Sequence, residues 1–184
     1  MAGGHLVLLG DVTGMGVTAA ALTSLVRHTA RAAAAFDPGV LEHVNNALRR
    51  RPQIAPVTMV CGLLERGAIS LAVGGHPLPL LKRVNGACAK VGASGLLLGA
   101  VEHYAGGGEV TIAPDAGDTL LLYTDGVTDT PGDDGRFGEA RLCRAIDAAP
   151  AEPRTLLRAA SATLDAFAHG DRLDDRAMLA LQRR

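Results

Sequence analysis

Three aspartates sit at similar junctions in this sequence. Asp11 follows the apolar run "HLVLLG", Asp125 follows "LLLYT", and Asp174 precedes "RAMLALQ". Each stands where an apolar segment meets a loop rich in Gly or Asp. Carboxylates gathered at one edge of a core repel one another, so a cluster of this kind requires a cation. Ligands that are all oxygen favour Mg2+ or Mn2+ over zinc or copper. Two such ions about 3.5–4 Å apart lower the pKa of a water held between them and neutralise phosphate charge, which is equipment for phosphoester hydrolysis. The plainer reading of the same residues is that acids at strand ends are solvated turn residues, and Asp125-Gly126 by itself only makes a turn.

Other chemistries fit less well. Cys61 and Arg66 are spaced C-x4-R, one residue short of the C-x5-R loop of cysteine-dependent phosphatases. The chain has no GxxxxGK[ST] phosphate loop and no GxSxG nucleophile elbow. "GDVTGMG" (10–16) lacks the G-x-G-x-x-G spacing of a dinucleotide loop. Its Gly14 and Gly16 suit close backbone approach instead. Cys61, Cys88 and Cys143 form no CxxC pair. That spacing argues against a disulfide framework or zinc knuckle and for a reducing compartment.

The elements that must position the acids follow from the hydrophobic period. "HLVLLGDV" (5–12) is nearly continuous in apolar residues and predicts a strand buried on both faces. Leu22, Val26, Ala30 and Ala33 recur at helical steps, with Asp37-Pro38 as the stop. Leu41, Val44 and Leu48 mark a second helix. "VTMVCGLLE", "AISLAVGG" and "PLPLLKRV" predict short strands punctuated at Arg66-Gly67 and Asn85-Gly86, the latter read as a type I′ hairpin turn. "GEVTIAP" and "DTLLLYTDG" continue the strands, and "PGDDGRFG" (131–138) reads as a surface loop. "GEARLCRAIDAA" and "PRTLLRAASATLDAFAHG" predict helices, the second with Leu157, Ala160, Leu164 and Phe167 on one face. "RAMLALQR" predicts a closing strand. This order lacks βαβ alternation and implies an α+β layered sandwich in one domain spanning 1–184.

Composition narrows the function classes. A net charge of −1 gives no electrostatic footprint for nucleic acid or an anionic membrane. Two Tyr, three Phe and no Trp leave little for base stacking. No run approaches the ~18–20 apolar residues of a membrane span. The start "MAGGHLVLLGD" lacks the basic end of a signal peptide. The expected setting is cytoplasmic.

With these residues in place, the chain resembles the metal-dependent Ser/Thr protein phosphatases of the PPM (type 2C) family, on its bacterial SpoIIE-like branch. "GDVTGMG" followed by "VTAAAL" is similar to that branch's first metal motif, and "VGGHPLPLL" resembles its central strand. "GLLLGA", "GDTLLLYTDGVTD", "FGEARL" and "DDRAMLAL" follow in the family's order, from about Leu6 to Leu181. The resemblance implies a four-layer α-β-β-α sandwich of antiparallel sheets flanked by helices. It implies two Mn2+ or Mg2+ ions, with Asp11 shared by both, Val12 offering its backbone carbonyl, and Asp125 and Asp174 completing the site. No side chain is then the nucleophile; a metal-bound water attacks the phosphoester. Asp175 orders the loop beside Asp174, His76 fixes a turn before Pro77, and Met15 is a loop side chain covering the site.

Family members carry further strands upstream, one with a "GGD-x-x-D"-like acid, that do not precede "HLVLLGDV" here. The expectation is therefore a domain trimmed of its N-terminal strand or strands, with a sheet edge to be covered and an upstream sensor domain in a full-length protein. The implied activity is hydrolysis of phosphoserine or phosphothreonine on a regulatory protein in bacterial signalling, such as an anti-sigma-factor antagonist. Two alternatives remain: a catalytically weak or inactive phosphatase-like signalling module, and a phosphatase of a small molecule.

Overall fold

The computed structural model describes residues 4–34, 39–51, 55–65, 67–104, 108–169 and 175–184. In chain order the elements are β1 (His5–Val12), α1 (Gly16–Ala33), α2 (Val40–Arg49), β2 (Val57–Glu65), β3 (Ala68–Gly74), β4 (Leu80–Lys82), β5 (Cys88–Lys90), β6 (Val110–Ile112), β7 (Thr119–Tyr123), α3 (Asp125–Thr128), β8 (Pro131–Gly132), β9 (Gly135–Arg136), α4 (Gly138–Asp147), α5 (Pro153–Phe167) and β10 (Met178–Gln182). They fall into two compact units, Met1–Leu78 with Gly92–Ile112, and Pro79–Val91 with Ala113–Arg184.

The first unit is an antiparallel sheet of order β1-β2-β3-β6 carrying α1 and α2. The helical stripe of α1 is buried at Leu22, Val26, Ala30 and Ala33, as its spacing predicts. It meets Val40, Leu41, Val44 and Leu48 of α2 and the alternate residues Val57, Met59 and Cys61 of β2. Full burial of a side chain such as Leu48 contributes roughly 1.5–3 kcal/mol. Leu98, from the "GLLLGA" segment, plugs this core. It bridges Val57 in both directions at 3.1 Å, and a Cβ on Gly74 would stand 2.9 Å from its Cγ. Asn45 is buried in the same core with its amide satisfied, donating to Val101 O at 3.1 Å and accepting from Gly99 N at 2.8 Å. That pair of bonds ties the segment to α2 without leaving an orphaned polar group.

The second unit is a sheet of order β10-β7-β4-β5 covered by α4 and α5. Its core joins Leu80, Leu121, Tyr123, Phe137, Leu142, Ile146, Leu156, Ala160 and Leu164. α5 begins cleanly, because the Glu152 carboxylate accepts from Arg154 N and Thr155 N at 3.0 and 2.7 Å and Pro153 takes the first turn. The Thr155 hydroxyl, which also donates to this carboxylate at 2.7 Å, and these two N–H groups hold the exposed Glu152 carboxyl below its ordinary value. Both units are helices packed on an antiparallel sheet, the α+β class that the order of elements implies. No helix among the described residues is long and apolar enough to cross a membrane.

Several local expectations change. β1 is not buried on both faces: among the described residues it is an edge strand paired only with β2, and its apolar residues are half-buried. The β4–β5 connection is a hairpin, but Gly86 is not among the glycines at positive φ, so no type I′ turn forms there. Asp118 instead takes Arg83 and Val84, binding the Arg83 guanidinium at 2.8 Å and Val84 N at 2.9 Å and lengthening the loop. On α5 it is Leu156, not Leu157, that is fully buried, with Leu157 and Phe167 half-buried. "PGDDGRFG" folds as the small β8–β9 hairpin. Asp37, Pro38 and Arg66 lie outside the described residues.

Candidate metal centre

In the first unit, β1 delivers Asp11 through a tight ladder with β2 in which Asp11 faces Thr58 and Val12 faces Val57. Gly10 makes this possible, since a Cβ there would lie 2.6 Å from Thr58 O. The Asp11 carboxylate is half-buried and oriented by Val12 N, which donates to its Oδ1 at 2.8 Å. Cross-strand partners point to the same face, so Thr58 shares the Asp11 side of the sheet. Its hydroxyl bonds His76 Nδ1 at 2.9 Å. His76 is buried and couples the end of β3 to β2, which goes further than the turn role expected from sequence. Thr58 carries no motif signal and was legible only through the register.

After Val12 the chain turns sharply. Thr13 binds Pro56 O through both its N–H and its hydroxyl. Gly14 at φ 104° and Gly16 at φ 73° then reverse the backbone into α1. Nothing lies within 4 Å of a Cβ built on either glycine, so backbone conformation rather than space selects them. Met15 is 90% exposed. Its side chain projects into solvent from the loop that follows Asp11.

In the second unit, β7 hands over directly to the one-turn helix α3, with Asp125 as its first residue. The Asp-Gly pair is thus a helix start rather than a bare turn. Gly126 N donates to Asp125 Oδ1 at 3.0 Å, and the Asp125 carbonyl accepts from Asp129 N and Thr128 Oγ1. Thr124 splices this end of β7 to the approach of β10. Its N–H donates to Ala177 O at 3.1 Å, its hydroxyl donates to Asp175 O at 3.2 Å, and it accepts from Ala177 N at 3.0 Å. The residue before Asp125 therefore holds the backbone of the residue after Asp174. Asp175 is exposed, and Asp174 lies outside the described residues. Among the described residues, no three His, Cys, Asp or Glu side chains are grouped for a metal.

The Asp11 and Asp125 carboxylates and the Val12 carbonyl are hard oxygen donors of the kind Mg2+ and Mn2+ take. A cysteine nucleophile is disfavoured: Cys61 is buried in β2, and desolvation, with Glu109 nearby, pushes its thiol up to about 12.

A family model described as stage II sporulation protein E (SpoIIE) matches residues 2–184. Structures of this fold include the RsbU and RsbW domains of a Mycobacterium tuberculosis protein, at 28% identity and TM-score 0.78, covering 98% of this chain and 52% of that one. The SiaA PP2C domain of Pseudomonas aeruginosa aligns at 20% identity and TM-score 0.82, covering 100% and 78%. The PP2C phosphatase domain of SpoIIE from Bacillus subtilis, solved with a fragment of its regulatory domain, aligns at 16% identity and TM-score 0.79, covering 97% and 54%. The chain thus spans about half the length of the first and third of these. Two further neighbours hold metal: the catalytic domain of the serine/threonine protein phosphatase PstP with two manganese ions, at TM-score 0.64, and RsbX with magnesium, at TM-score 0.65. On this footing the chain belongs to the SpoIIE family and has the fold of the PP2C phosphatase domains.

Proposed function

We propose that this protein is a divalent-metal-dependent phosphatase of phosphoserine and phosphothreonine on a regulatory protein in bacterial signalling, working in the cytoplasm. Asp11, the Val12 carbonyl, Asp125 and Asp174 are the residues assigned to hold two Mn2+ or Mg2+ ions. The observation that carries the reading is the family match over residues 2–184; Asp11 and Asp125 are assigned from the resemblance of "GDVTGMG" and "GDTLLLYTDGVTD" to the family's metal motifs. Bound ions of this class supply Lewis acidity, lowering the pKa of water and screening phosphate charge. The chain's own contribution is orientation. Val12 N and Gly126 N each hold one oxygen of the aspartate beside them, which limits the carboxylate rotamers and leaves less reorganisation at the reacting phosphate. A regulatory phosphoprotein as substrate, such as an anti-sigma-factor antagonist, draws support from the neighbour in which RsbU and RsbW domains occur together.

The test is release of phosphate from a phosphothreonine peptide and from p-nitrophenyl phosphate, with Mn2+, with Mg2+ and with EDTA, beside Asp11→Ala and Asp125→Ala. We expect turnover only with metal and a loss of about 10²-fold or more in either variant. Metal-independent turnover, or variants as active as the parent, would overturn the assignment. A folded chain with no turnover under any condition would favour a signalling module without catalysis.

A further inference from the structure

We propose that the groove between α5 and the outer edge of β10 is a docking site for an extended acidic segment of a partner protein, which adds to the sheet as a strand. The groove lies within the second unit, is open to solvent with a volume of about 810 Å3, and is lined by Arg154, Leu157, Arg158 and Ser161 of α5 and, at the end of β10, by Gln182 and Arg184. β10 ends its sheet and pairs only with β7 among the described residues. Arg183 N donates to Asp118 O and Arg183 O accepts from Gly117 N, while Ala177 O accepts from Thr124 N. Odd-numbered residues of β10 thus turn their backbone groups toward β7. By the alternation of an antiparallel ladder, Met178, Ala180 and Gln182 turn theirs outward, which is a template for one more strand.

Charge selects the occupant. Arg154 and Arg158 lie one turn apart on the lining face of α5, with Arg184 also on the groove wall. The wall keeps a net positive charge: Arg154, Arg158 and Arg184 stand with two acids, Glu152, which caps α5, and Asp165, which lies 3.8 Å from Arg176. The guanidinium groups of α5 are suited to carboxylates. Arg154 and Arg158 are separated by a rise of about 6 Å. Every second residue of an added strand recurs at about 6.6 Å, a spacing close to that of the Arg154–Arg158 pair. The site is well built at its end, where Gln182 Nε2 is held by Gly117 O at 3.0 Å and Ala151 O at 3.1 Å. It also stands apart from Asp125 within this unit. Gln182 pairs with Thr119 at one end of β7, while Asp125 follows the other end.

Fluorescence anisotropy with the full chain tests this, using a fluorescein-labelled octapeptide alternating Glu and Thr and a matching Lys–Thr peptide. We expect saturable binding of the acidic peptide alone, weakened about tenfold or more by Arg154→Glu with Arg158→Glu and by raised salt. Circular dichroism checks that the variant is folded. Methylating the backbone amides of one alternate set of peptide residues should abolish binding, and methylating the other set should not. Equal binding of both peptides, or indifference to the arginine reversals, overturns the acidic occupant. Tolerance of methylation on both sets overturns strand addition. Concentration-dependent dimerisation that the reversals abolish, with no peptide binding, would assign the groove to a second copy of the chain.

Discussion

Asp118 shows how a single buried side chain can organise a loop at the opposite end of β7 from Asp125. Its carboxylate is 3% exposed and accepts from Val84 N, Asp115 N and Arg83 Nη1 at 2.8–2.9 Å. Burial alone would raise its pKa, but these three donors outweigh burial and hold it below the ordinary 3.8. A carboxylate with a lowered folded value contributes stability that is full above the ordinary value and is lost as pH falls through the lowered one. Asp118→Asn is expected to cost about 2–3 kcal/mol at neutral pH, because the Arg83 guanidinium and one amide lose their charged acceptor. The penalty should shrink as pH falls below the ordinary 3.8 and through the lowered value, where the folded parent carboxylate also takes up its proton. Urea unfolding of both proteins across the acid range reads this directly, and an equal penalty at every pH would refute it.

At the scale of elements, the β1–β2 ladder matters most, because it alone sets where Asp11 stands. Gly10 sits against Thr58 O, and that neighbour is backbone, which cannot swing away as a side chain can. Gly10→Ala therefore has to push the strands apart just before Asp11. We expect a loss of about 1–3 kcal/mol, seen as a fall of roughly 2–10 °C in Tm for a chain of this size. Phosphatase activity should fall further than stability explains at a temperature where both proteins are folded. Gly14→Ala, with no neighbour within 4 Å of its Cβ, carries the contrast: its cost comes from positive φ alone, about 1 kcal/mol. A Gly10→Ala protein as stable and active as the parent would show that the close approach does not position Asp11.

For the whole molecule, ligand linkage offers the broadest check on the proposed metal centre. A cation that binds the folded chain and not the unfolded one stabilises it by about 2.7 kcal/mol at 100 times its Kd. That corresponds to a rise of roughly 5–10 °C in Tm. Mn2+ should give this shift in the parent, EDTA should reverse it, and Asp125→Ala should largely abolish it. An equal shift in parent and variant would place the ion elsewhere. The measurement needs no substrate, so it separates metal binding from turnover.

How much of this was legible in the sequence differs between elements for physical reasons. Helical stripes such as Leu22, Val26, Ala30 and Ala33 could be read directly, because burial of one face imposes a 3.6-residue period on the chain itself. The α+β class was legible for the same local reason, whereas the motifs around Asp11 and Asp125 were read by resemblance to a known family. The half-burial of β1 could not be read from its own pattern, since an apolar run looks alike whether one neighbour strand or two lie beside it; an open edge followed only from the family resemblance. Nor could the Thr58–His76 bond, the Thr124 splice to Asp175 and Ala177, or the capture of Arg83 and Val84 by Asp118 be read from the sequence. Each joins residues far apart in the chain through a register or a polar contact that leaves no periodic trace. Local period and turn chemistry are properties of neighbouring residues, and the sequence determines them alone. Which distant groups share a face, and where an arginine row meets an unpaired strand edge, only the tertiary structure decides.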